Sequence, residues 1–329
     1  MNTKQVLNKA RNFYAYFHRK TTASGYPEIF NIEVTNYCPM NCLMCPRKYM
    51  RRSLGYMDFE LFKKIIDQLK GYTNSVWLHH FGDPLMHPQL DKFIDYAKAA
   101  GIKTQLSTNP VLLTIDNIKK LINLDYLHLS LDGSTESTYK KLRGQNADYK
   151  KAVENINNLF LMKKRPYTVL AIIKMKETES EIEDFKKKWS NIVDEVEIKE
   201  FTTWDGSVEE IKELASEEQL SIAYKEQPTY PCVRPWHRFT ILWNGLVVPC
   251  CFDYAGKFIL GDAKTQSLKE IWNSEKMQIL RLQHINNNLS NNELCKNCKE
   301  KLGMPQSKLY PLNPVFIKRS MKYLTQKLK

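Results

Sequence analysis

The chain has 329 residues, of which 43% are hydrophobic and 26% charged, and its formal net charge is +13. This composition excludes general disorder, and the length suits about two domains. No apolar run approaches the roughly 18 residues of a transmembrane helix, and the N-terminus lacks the apolar core of a secretory signal. We therefore expect a cytoplasmic protein, in which the eight clustered cysteines indicate metal binding or catalysis rather than disulfides.

The positive charge is concentrated at the two ends, which read as basic helices at 1–27 and 303–329. Five basic residues against one acidic residue give residues 1–30 a net charge of +4, and seven against one give residues 300–329 a net charge of +6. Only +3 is left for the body of the chain, so a surface that coats nucleic acid is not indicated.

Both ends are amphipathic on a helical projection. The apolar positions are Val6, Ala10, Phe13 and Phe17 at one end, and Ile317, Met321, Leu324 and Leu328 at the other. We expect these faces to dock on the body and leave Lys and Arg in water. The alternative is contact with an acidic electron donor, an acidic peptide or, less favoured, a membrane surface.

Between the ends, strands and helices alternate over residues 28–204. Strands are predicted at 29–34, 75–80, 103–107, 126–131, 168–175 and 195–200, and helices at 59–69, 90–100, 115–123, 149–163 and 180–190. This alternation amounts to six strand–helix (βα-type) units. It predicts a parallel sheet with helical crossovers, either an open doubly wound sheet or a barrel.

The alternation ends near Trp204. Residues 205–230 are polar and predict a linker with one short helix. Two apolar runs around Asn244-Gly245 predict a β-hairpin, and residues 268–285 predict a helix. We therefore place a small hairpin-and-helix domain at 231–302.

The first cysteine cluster, Cys38, Cys42 and Cys45, has the spacing C-x3-C-x2-C and directly follows the first strand. In parallel α/β folds, ligands bind at the carboxyl ends of the strands, where this loop is expected to lie. Three thiolates can hold three irons of a 4Fe-4S cluster and leave the fourth iron open to a small molecule, whereas structural zinc sites close with four ligands. An incomplete zinc site or three unrelated buried cysteines are the alternatives.

This loop resembles the signature of the radical S-adenosylmethionine (SAM) superfamily, and the resemblance extends over about residues 28–200. It implies a partial (β/α)6 TIM-like barrel and cofactor contacts at successive strand ends, with Asp83 near the methionine amino group and Arg143 on the carboxylate. The implied contacts are Met44, Gly82, Asp83, Pro84, Ser107, Asn109, Ser130, Asp132 and Arg143. Asp83 replaces a commoner Glu, and Met44 replaces a common aromatic residue.

A second pattern comprises Cys232, Cys250 and the C-x2-C pair Cys295 and Cys298. It resembles the SPASM/twitch extension of radical SAM enzymes, in a short form that implies one auxiliary 4Fe-4S cluster. Four thiolates would equally close a zinc site. The adjacent Cys251 is the remaining thiol: it is a candidate ligand in place of Cys250, a candidate hydrogen-atom donor, or a buried structural thiol.

Other polar residues follow or lie on the strands. His79, His80 and His87 flank the Gly-Asp-Pro turn, and one of the first two is expected to face the barrel interior. Glu197 and Lys199 share one face of the last strand, so they are candidate substrate contacts if that face is internal.

The resemblance implies that a reduced cluster, supplied by a flavodoxin- or ferredoxin-type donor, cleaves SAM to a 5′-deoxyadenosyl radical. That radical would remove hydrogen from a carbon of a sugar-like metabolite or a peptide, with net oxidation assisted by the auxiliary cluster. Alternatives are an epimerase that uses Cys251, a peptide maturase, and an RNA-modifying radical enzyme. We expect no separate leader-binding domain at either end, which modestly disfavours a peptide maturase that carries its own recognition module. A zinc-stabilised RNA-binding protein is the alternative from another functional class.

Overall fold

The structure, a computed structural model, describes residues 2–216 and 231–298. The predicted helix at 303–329 and most of the predicted linker lie outside the described residues. No helix in the described part is both long enough and apolar enough to span a bilayer.

One nine-stranded sheet organises the described chain. The strands are Glu28–Ile32 (β1), Ser75–Trp77 (β2), Lys103–Thr108 (β3), Tyr126–Ser130 (β4), Tyr167–Lys174 (β5), Glu195–Glu200 (β6), Arg238–Ile241 (β7), Leu246–Val248 (β8) and Gly261–Asp262 (β9). Their order is β6-β5-β4-β3-β2-β1-β7-β8-β9, and β1 to β6 are all parallel. The six parallel strands form the predicted partial barrel. Among the described residues β6 pairs with β5 alone, so β6 is an edge strand and the sheet is open there.

The helices cover the outer face of the barrel and build the C-terminal region. They are Thr3–Phe17 (α1), Phe59–Leu69 (α2), Leu90–Ala99 (α3), Ile115–Lys120 (α4), Glu136–Arg143 (α5), Tyr149–Phe160 (α6), Ile182–Trp189 (α7), Glu209–Lys212 (α8), Arg234–His237 (α9), Leu268–Trp272 (α10) and Glu275–Ile285 (α11). Buried apolar residues on helices such as α2 and α6 pack on the sheet and form the core.

The structure differs from the predicted helices in two places. The helix expected at 268–285 is two helices, because Ser274 accepts a hydrogen bond from the Met277 N–H at 3.3 Å and so begins a new helix. The sequence prediction also omitted α5, whose residues are mostly polar and in which only Tyr139 and Leu142 are buried.

The hairpin of the C-terminal region joins the barrel sheet directly. β7 pairs in parallel with β1, in a register that places Ile29 beside Phe239 and Ile32 beside Ile241. β7, β8 and β9 then continue antiparallel. The C-terminal region thus shares one hydrogen-bonded sheet with the barrel.

The N-terminal helix docks in the orientation opposite to the expected one. The side chains of Asn8 and Asn12 donate to the Tyr26 carbonyl at 3.0 and 2.8 Å, and that of Gln5 donates to the Thr73 carbonyl at 3.2 Å. These bonds hold the polar face of α1 against the protein. The expectation that its apolar face docks was therefore wrong.

Candidate active site

The first cysteine loop lies at the carboxyl end of β1. Cys42 is buried, and Cys38 and Cys45 are half-buried. Burial, reinforced by the Asp83 carboxylate, raises the pKa of Cys38 to about 12, and burial beside Cys42 raises the pKa of Cys45 to about 11. Thiols in this state ionise only with a strongly positive partner, which a metal cluster supplies. Three thiols on one short loop supply the ligand set for three irons of an iron–sulfur cluster.

Arg143 connects this loop to the end of β4. Its Nη1 lies 3.4 Å from the Cys42 sulfur, and its Nη2 donates to the Asp132 carboxylate. The other oxygen of Asp132 accepts from the Ile173 N–H at 2.7 Å. The pKa of Arg143 is raised, because Asp132 and Cys42 outweigh the effect of burial. Its buried Nε has no hydrogen-bond partner among the described residues, so it fits an additional acceptor such as a carboxylate.

Asp83 is held by the end of β3. Its carboxylate accepts from the Thr108 hydroxyl at 2.8 Å, from the Asn109 N–H at 3.1 Å and from the Leu85 N–H at 3.0 Å. Burial nevertheless raises the pKa of Asp83 to about 6. The side-chain nitrogen of Asn109 is buried beside it without a partner in the described structure. A bound ligand with an acceptor and a positive charge would satisfy both groups.

Gly82 and Pro84 shape the turn that carries Asp83. A Cβ on Gly82 would lie 2.2 Å from the Thr35 carbonyl oxygen and 2.5 Å from the Asn36 Cα. Only glycine therefore allows this turn to approach the chain that leads into the cysteine loop. Pro84 begins the short 3-10 helix Pro84–Met86, which Asp83 caps.

A polar cluster lines the barrel interior. The Nδ1 atom of His128 on β4 lies 3.2 Å from the Ser107 hydroxyl, and its Nε2 lies 3.1 Å from the Glu197 carboxylate on β6. The Ser130 hydroxyl lies 3.4 Å from that of Ser107. Leu127 and Leu129 point to the opposite, helix-covered face, as alternation along a strand requires.

The histidines that flank the Gly-Asp-Pro turn have different roles. The Ser107 N–H donates to His79 Nδ1 at 3.1 Å, which places His79 in the polar cluster. Burial lowers the pKa of His79 to about 3 and also lowers that of His128, and the charge of Lys199 adds to both shifts. Both imidazoles are thus neutral at pH 7. His87 instead donates to the Met57 carbonyl at 3.2 Å, a structural contact.

The second cysteine group lines a single cavity. Its lining includes all four expected residues, Cys232, Cys250, Cys295 and Cys298, together with Arg234 and His284. A hydrogen bond from Cys251, aided by the nearby Arg234 charge, lowers the pKa of Cys250 to about 6. Four thiols around one space, near a buried cation, fit a closed cluster with negative thiolates.

Cys251 does not line that cavity. Its S–H donates a hydrogen bond to the Cys250 sulfur, and this contact together with burial raises the pKa of Cys251. Its carbonyl accepts from His80 Nε2 at 2.9 Å. Of the two adjacent residues, Cys250 therefore has the placement of a ligand.

A buried ion pair and a tryptophan link the two cysteine groups. Arg52 makes a bidentate pair with Glu33 at 2.8 Å and donates to the Tyr254 carbonyl at 2.9 Å. His80 Nδ1 lies 3.4 Å from the Glu33 carboxylate. Trp204 donates to the Met44 carbonyl at 2.8 Å, next to the first cysteine group. Its own carbonyl lies 3.9 Å from the sulfur of Cys298 in the second group.

Two family models match the chain along these two sites. Residues 32–188 match the radical SAM superfamily, and residues 232–299 match the SPASM iron–sulfur cluster-binding domain. The chain belongs to the radical SAM superfamily. It is a radical SAM enzyme with a SPASM domain, and it accordingly uses SAM and two 4Fe-4S clusters. These matches decide for iron–sulfur clusters over the zinc alternative.

Individual relatives are similar over different lengths. The cofactor-modifying protein for tungsten-containing aldehyde ferredoxin oxidoreductase of Pyrococcus furiosus is 30% identical over 105 residues, 31% of this chain and 30% of that protein. The S-adenosyl-L-methionine-dependent 2-deoxy-scyllo-inosamine dehydrogenase of Niallia circulans is 22% identical over 283 residues, 82% of this chain and 92% of that protein.

A solved structure with the same fold is Streptococcus suis SuiB bound to S-adenosylmethionine. It has a TM-score of 0.64 and 17% identity, over 90% of this chain and 77% of that one. SuiB bound to its precursor peptide SuiA gives a TM-score of 0.62 and 16% identity, over 84% of this chain and 71% of that one. At these identities the similarity shows the fold alone.

The sequence interpretation missed several residues at these sites. His128 was not singled out, although its alternation with Ser130 on β4 places both on one face. Arg234 follows Cys232 by two residues and was also missed, as was Trp204 as a link between the groups. The Glu33–Arg52 pair had no local signal, because its partners are 19 residues apart in the chain.

Proposed function

We propose that this radical SAM enzyme is a dehydrogenase that oxidises a hydroxyl- or amine-bearing carbon of a small, sugar-like metabolite. The observation that carries the proposal is the Ser107–His128–Glu197 chain inside the barrel, with His79 beside it. Such a row of donors and acceptors suits a substrate rich in hydroxyl and amino groups. The similarity to a 2-deoxy-scyllo-inosamine dehydrogenase over 92% of that protein supports the same class.

The cofactor assignments are part of this proposal. Cys38, Cys42 and Cys45 hold the SAM-binding cluster. Arg143 and Asn109 offer unsatisfied buried donors to SAM, and Asp83 offers it a carboxylate. The other expected SAM contacts lie near these residues. They are Met44 in the first cysteine loop, Gly82 and Pro84 on either side of Asp83, Ser107 on β3, Ser130 on β4 and Asp132 just after β4.

The four cysteines around the second cavity, Cys232, Cys250, Cys295 and Cys298, hold the auxiliary cluster. When bound, SAM and the clusters supply a radical that takes hydrogen from carbon and an acceptor for the remaining electron.

The chain itself positions the substrate and removes its proton. His128 is neutral because burial lowers its pKa, so it can take a proton when the substrate hydroxyl becomes a carbonyl. Glu197, 3.1 Å from Nε2, stabilises the imidazolium that results. Oxidation then removes one hydrogen atom, one proton and one electron from the substrate, which balances the conversion of an alcohol to a carbonyl.

The test is product analysis under anaerobic conditions with reductant, SAM and a panel of amino sugars, aminocyclitols and peptides. We expect 5′-deoxyadenosine and a metabolite that has lost two hydrogen atoms, in equal amounts. His128→Gln should keep SAM cleavage but lose most product, whereas the exposed His18→Gln control should behave as wild type. Oxidation of a peptide but of no metabolite in the panel would overturn the substrate class.

The same assay in heavy water tests epimerisation. A hydrogen-donating Cys251, its S–H exchanged with solvent, would give the substrate radical one deuterium atom and leave the product mass otherwise unchanged. The Cys251 S–H is engaged in a hydrogen bond to the Cys250 sulfur, which supports the dehydrogenase over an epimerase that uses this hydrogen. Deuterium uptake that disappears in Cys251→Ala would contradict it.

A further inference from the structure

The N-terminal helix α1 exposes its apolar side chains and buries its polar ones. Val6, Leu7, Tyr14 and Phe17 are 51%, 52%, 52% and 47% exposed. Ala10 is also exposed, and Phe13 is half-buried. We call these six residues the apolar ridge. We propose that the apolar ridge, with the cations beside it, binds the surface of an anionic lipid bilayer.

The ridge is continuous along the helix. Its members recur at spacings of three and four residues, which places them on one side of α1. The Phe13 and Phe17 rings pack edge-on, with centroids 4.2 Å apart. A helix of this length presents a strip about 22 Å long. Aromatic and aliphatic side chains in such a strip are typical of helices that lie in the plane of a membrane interface.

The opposite side of α1 is fixed to the protein, so the helix cannot rotate to bury the ridge. Gln5, Asn8 and Asn12 are 7%, 3% and 4% exposed, and all three donate to backbone carbonyls of other segments. Tyr16 packs against Trp236, with ring centroids 5.6 Å apart, and donates to the Pro231 carbonyl. These contacts therefore make the apolar ridge point away from the rest of the protein.

Positive charge flanks the ridge. On a helical projection, Lys4 and Arg11 follow one border of the ridge and Lys9 the other. Lys4 and Arg11 are exposed, with the Lys4 ammonium 3.9 Å from the centre of the Tyr72 ring, and Lys9 pairs with Glu28 at 3.2 Å. Arg19 and Lys20 extend the charge beyond the helix end. Residues 1–27 contain no Asp or Glu, so no carboxylate of this segment opposes an anionic lipid.

The charge argues for a bilayer over two other occupants. A second copy of α1 would bring the same cations against each other. The C-terminal residues 300–329 have a net charge of +6, so they too would be repelled. An anionic surface with an apolar layer beneath it complements both features of α1.

The experiment is co-sedimentation of the full chain with vesicles of phosphatidylcholine alone and of an equimolar mixture with phosphatidylglycerol. We expect binding to the mixed vesicles only. Leu7→Gln combined with Phe17→Ser should weaken it roughly tenfold or more. Lys4→Gln combined with Arg11→Gln should weaken it roughly fivefold per charge removed. In a separate variant, Phe17→Trp, indole fluorescence should shift to the blue with mixed vesicles.

A matched control is available on α11. Ile279 and Leu282 are 46% and 48% exposed, so Ile279→Gln with Leu282→Ser removes a similar apolar area elsewhere and should leave binding unchanged. Equal iron content and circular dichroism establish that each variant is folded.

Several outcomes would overturn the proposal. The wild type would fail to sediment with mixed vesicles, or the Leu7→Gln, Phe17→Ser variant would sediment as much as the wild type. A loss of binding in the α11 control as large as that in the ridge variant would also overturn it. A wild-type dimer that the ridge variant converts to a monomer, without vesicle binding, would assign the ridge to a second copy. A lower melting temperature of that variant with unchanged vesicle binding would assign it to internal packing.

Discussion

The two cysteine groups are built in different ways. The first places Cys38, Cys42 and Cys45 on one short loop behind β1. The second collects four cysteines from three separate segments, before α9, after β8 and after α11. The first group also lies beside Arg143 and Asp83, which suit a charged organic ligand. The second has Arg234 in its lining, and its four cysteines make a complete set of cluster ligands.

This difference indicates a division of labour. A group with three ligands and nearby ligand-binding side chains suits binding and activation of a small molecule. A group with four ligands suits electron storage or transfer. The Glu33–Arg52–His80 contacts and Trp204 join the two, so a change at the junction should affect both.

Removal of a cysteine should separate the two groups most clearly. Cys42→Ala should abolish 5′-deoxyadenosine formation, because two remaining thiolates cannot hold the SAM-binding cluster. Cys295→Ala should retain measurable SAM cleavage and lose oxidised product. Chromatography of 5′-deoxyadenosine and product checks both. Equal loss of cleavage in the two variants would break the proposed division.

The buried ion pair at the junction should have the next largest effect. Glu33→Gln leaves the Arg52 charge buried without a carboxylate, which should cost about 3 kcal/mol of unfolding free energy. Thermal unfolding followed by circular dichroism measures the change. Glu183→Gln removes the exposed pair with Lys186 and should cost under about 0.5 kcal/mol. Similar costs for both variants would contradict the role of the junction.

Gly82→Ala tests the close approach of the turn to the first cysteine loop. The added Cβ would collide with backbone, so we expect a loss of about 2 kcal/mol and lower iron occupancy at the first group. Gly101→Ala is the control, since φ is +75° there but no atom lies within 4 Å of the new Cβ. It should cost about 1 kcal/mol with full iron content. Full iron content in Gly82→Ala would show that the turn adapts.

The pH dependence of SAM binding should report Asp83. Its carboxylate attracts a cationic amino group only when ionised, and burial raises its pKa to about 6. The dissociation constant of SAM should therefore rise as pH falls below about 6, by roughly tenfold per pH unit. Equilibrium binding across pH 5 to 8 measures this, and Asp83→Asn should bind weakly with a flat profile. An unchanged profile in Asp83→Asn would assign the dependence to another group.

Trp204→Phe is expected to have the smallest effect. The substitution keeps an aromatic ring but removes the bond to the Met44 carbonyl, at a cost of about 1 kcal/mol. A small change in the spectrum of the SAM-binding cluster, seen by electron paramagnetic resonance, should accompany it. A spectrum and melting temperature identical to wild type would show that this contact does not link the two groups.

The sequence predicted the elements whose signals are local. The cysteine loop, the six parallel strands and helix α2 at 59–69 all depend on neighbours in the chain, and the structure has them. The placement of α1 could not be predicted, because its polar side chains find acceptors on the Tyr26 and Thr73 carbonyls, which only the folded chain brings near. The Glu197–His128 contact likewise depends on strands 69 residues apart.

The parallel pairing of β7 with β1 has a consequence for engineering this enzyme. A truncation that removed everything after residue 230 would leave β1 as an unprotected edge, with a row of free backbone donors and acceptors open to other chains. The isolated C-terminal piece would lose the same partners. The two pieces are therefore poor candidates for separate expression or for transfer into another radical SAM enzyme, and any exchange of segments should keep β1 and β7 together.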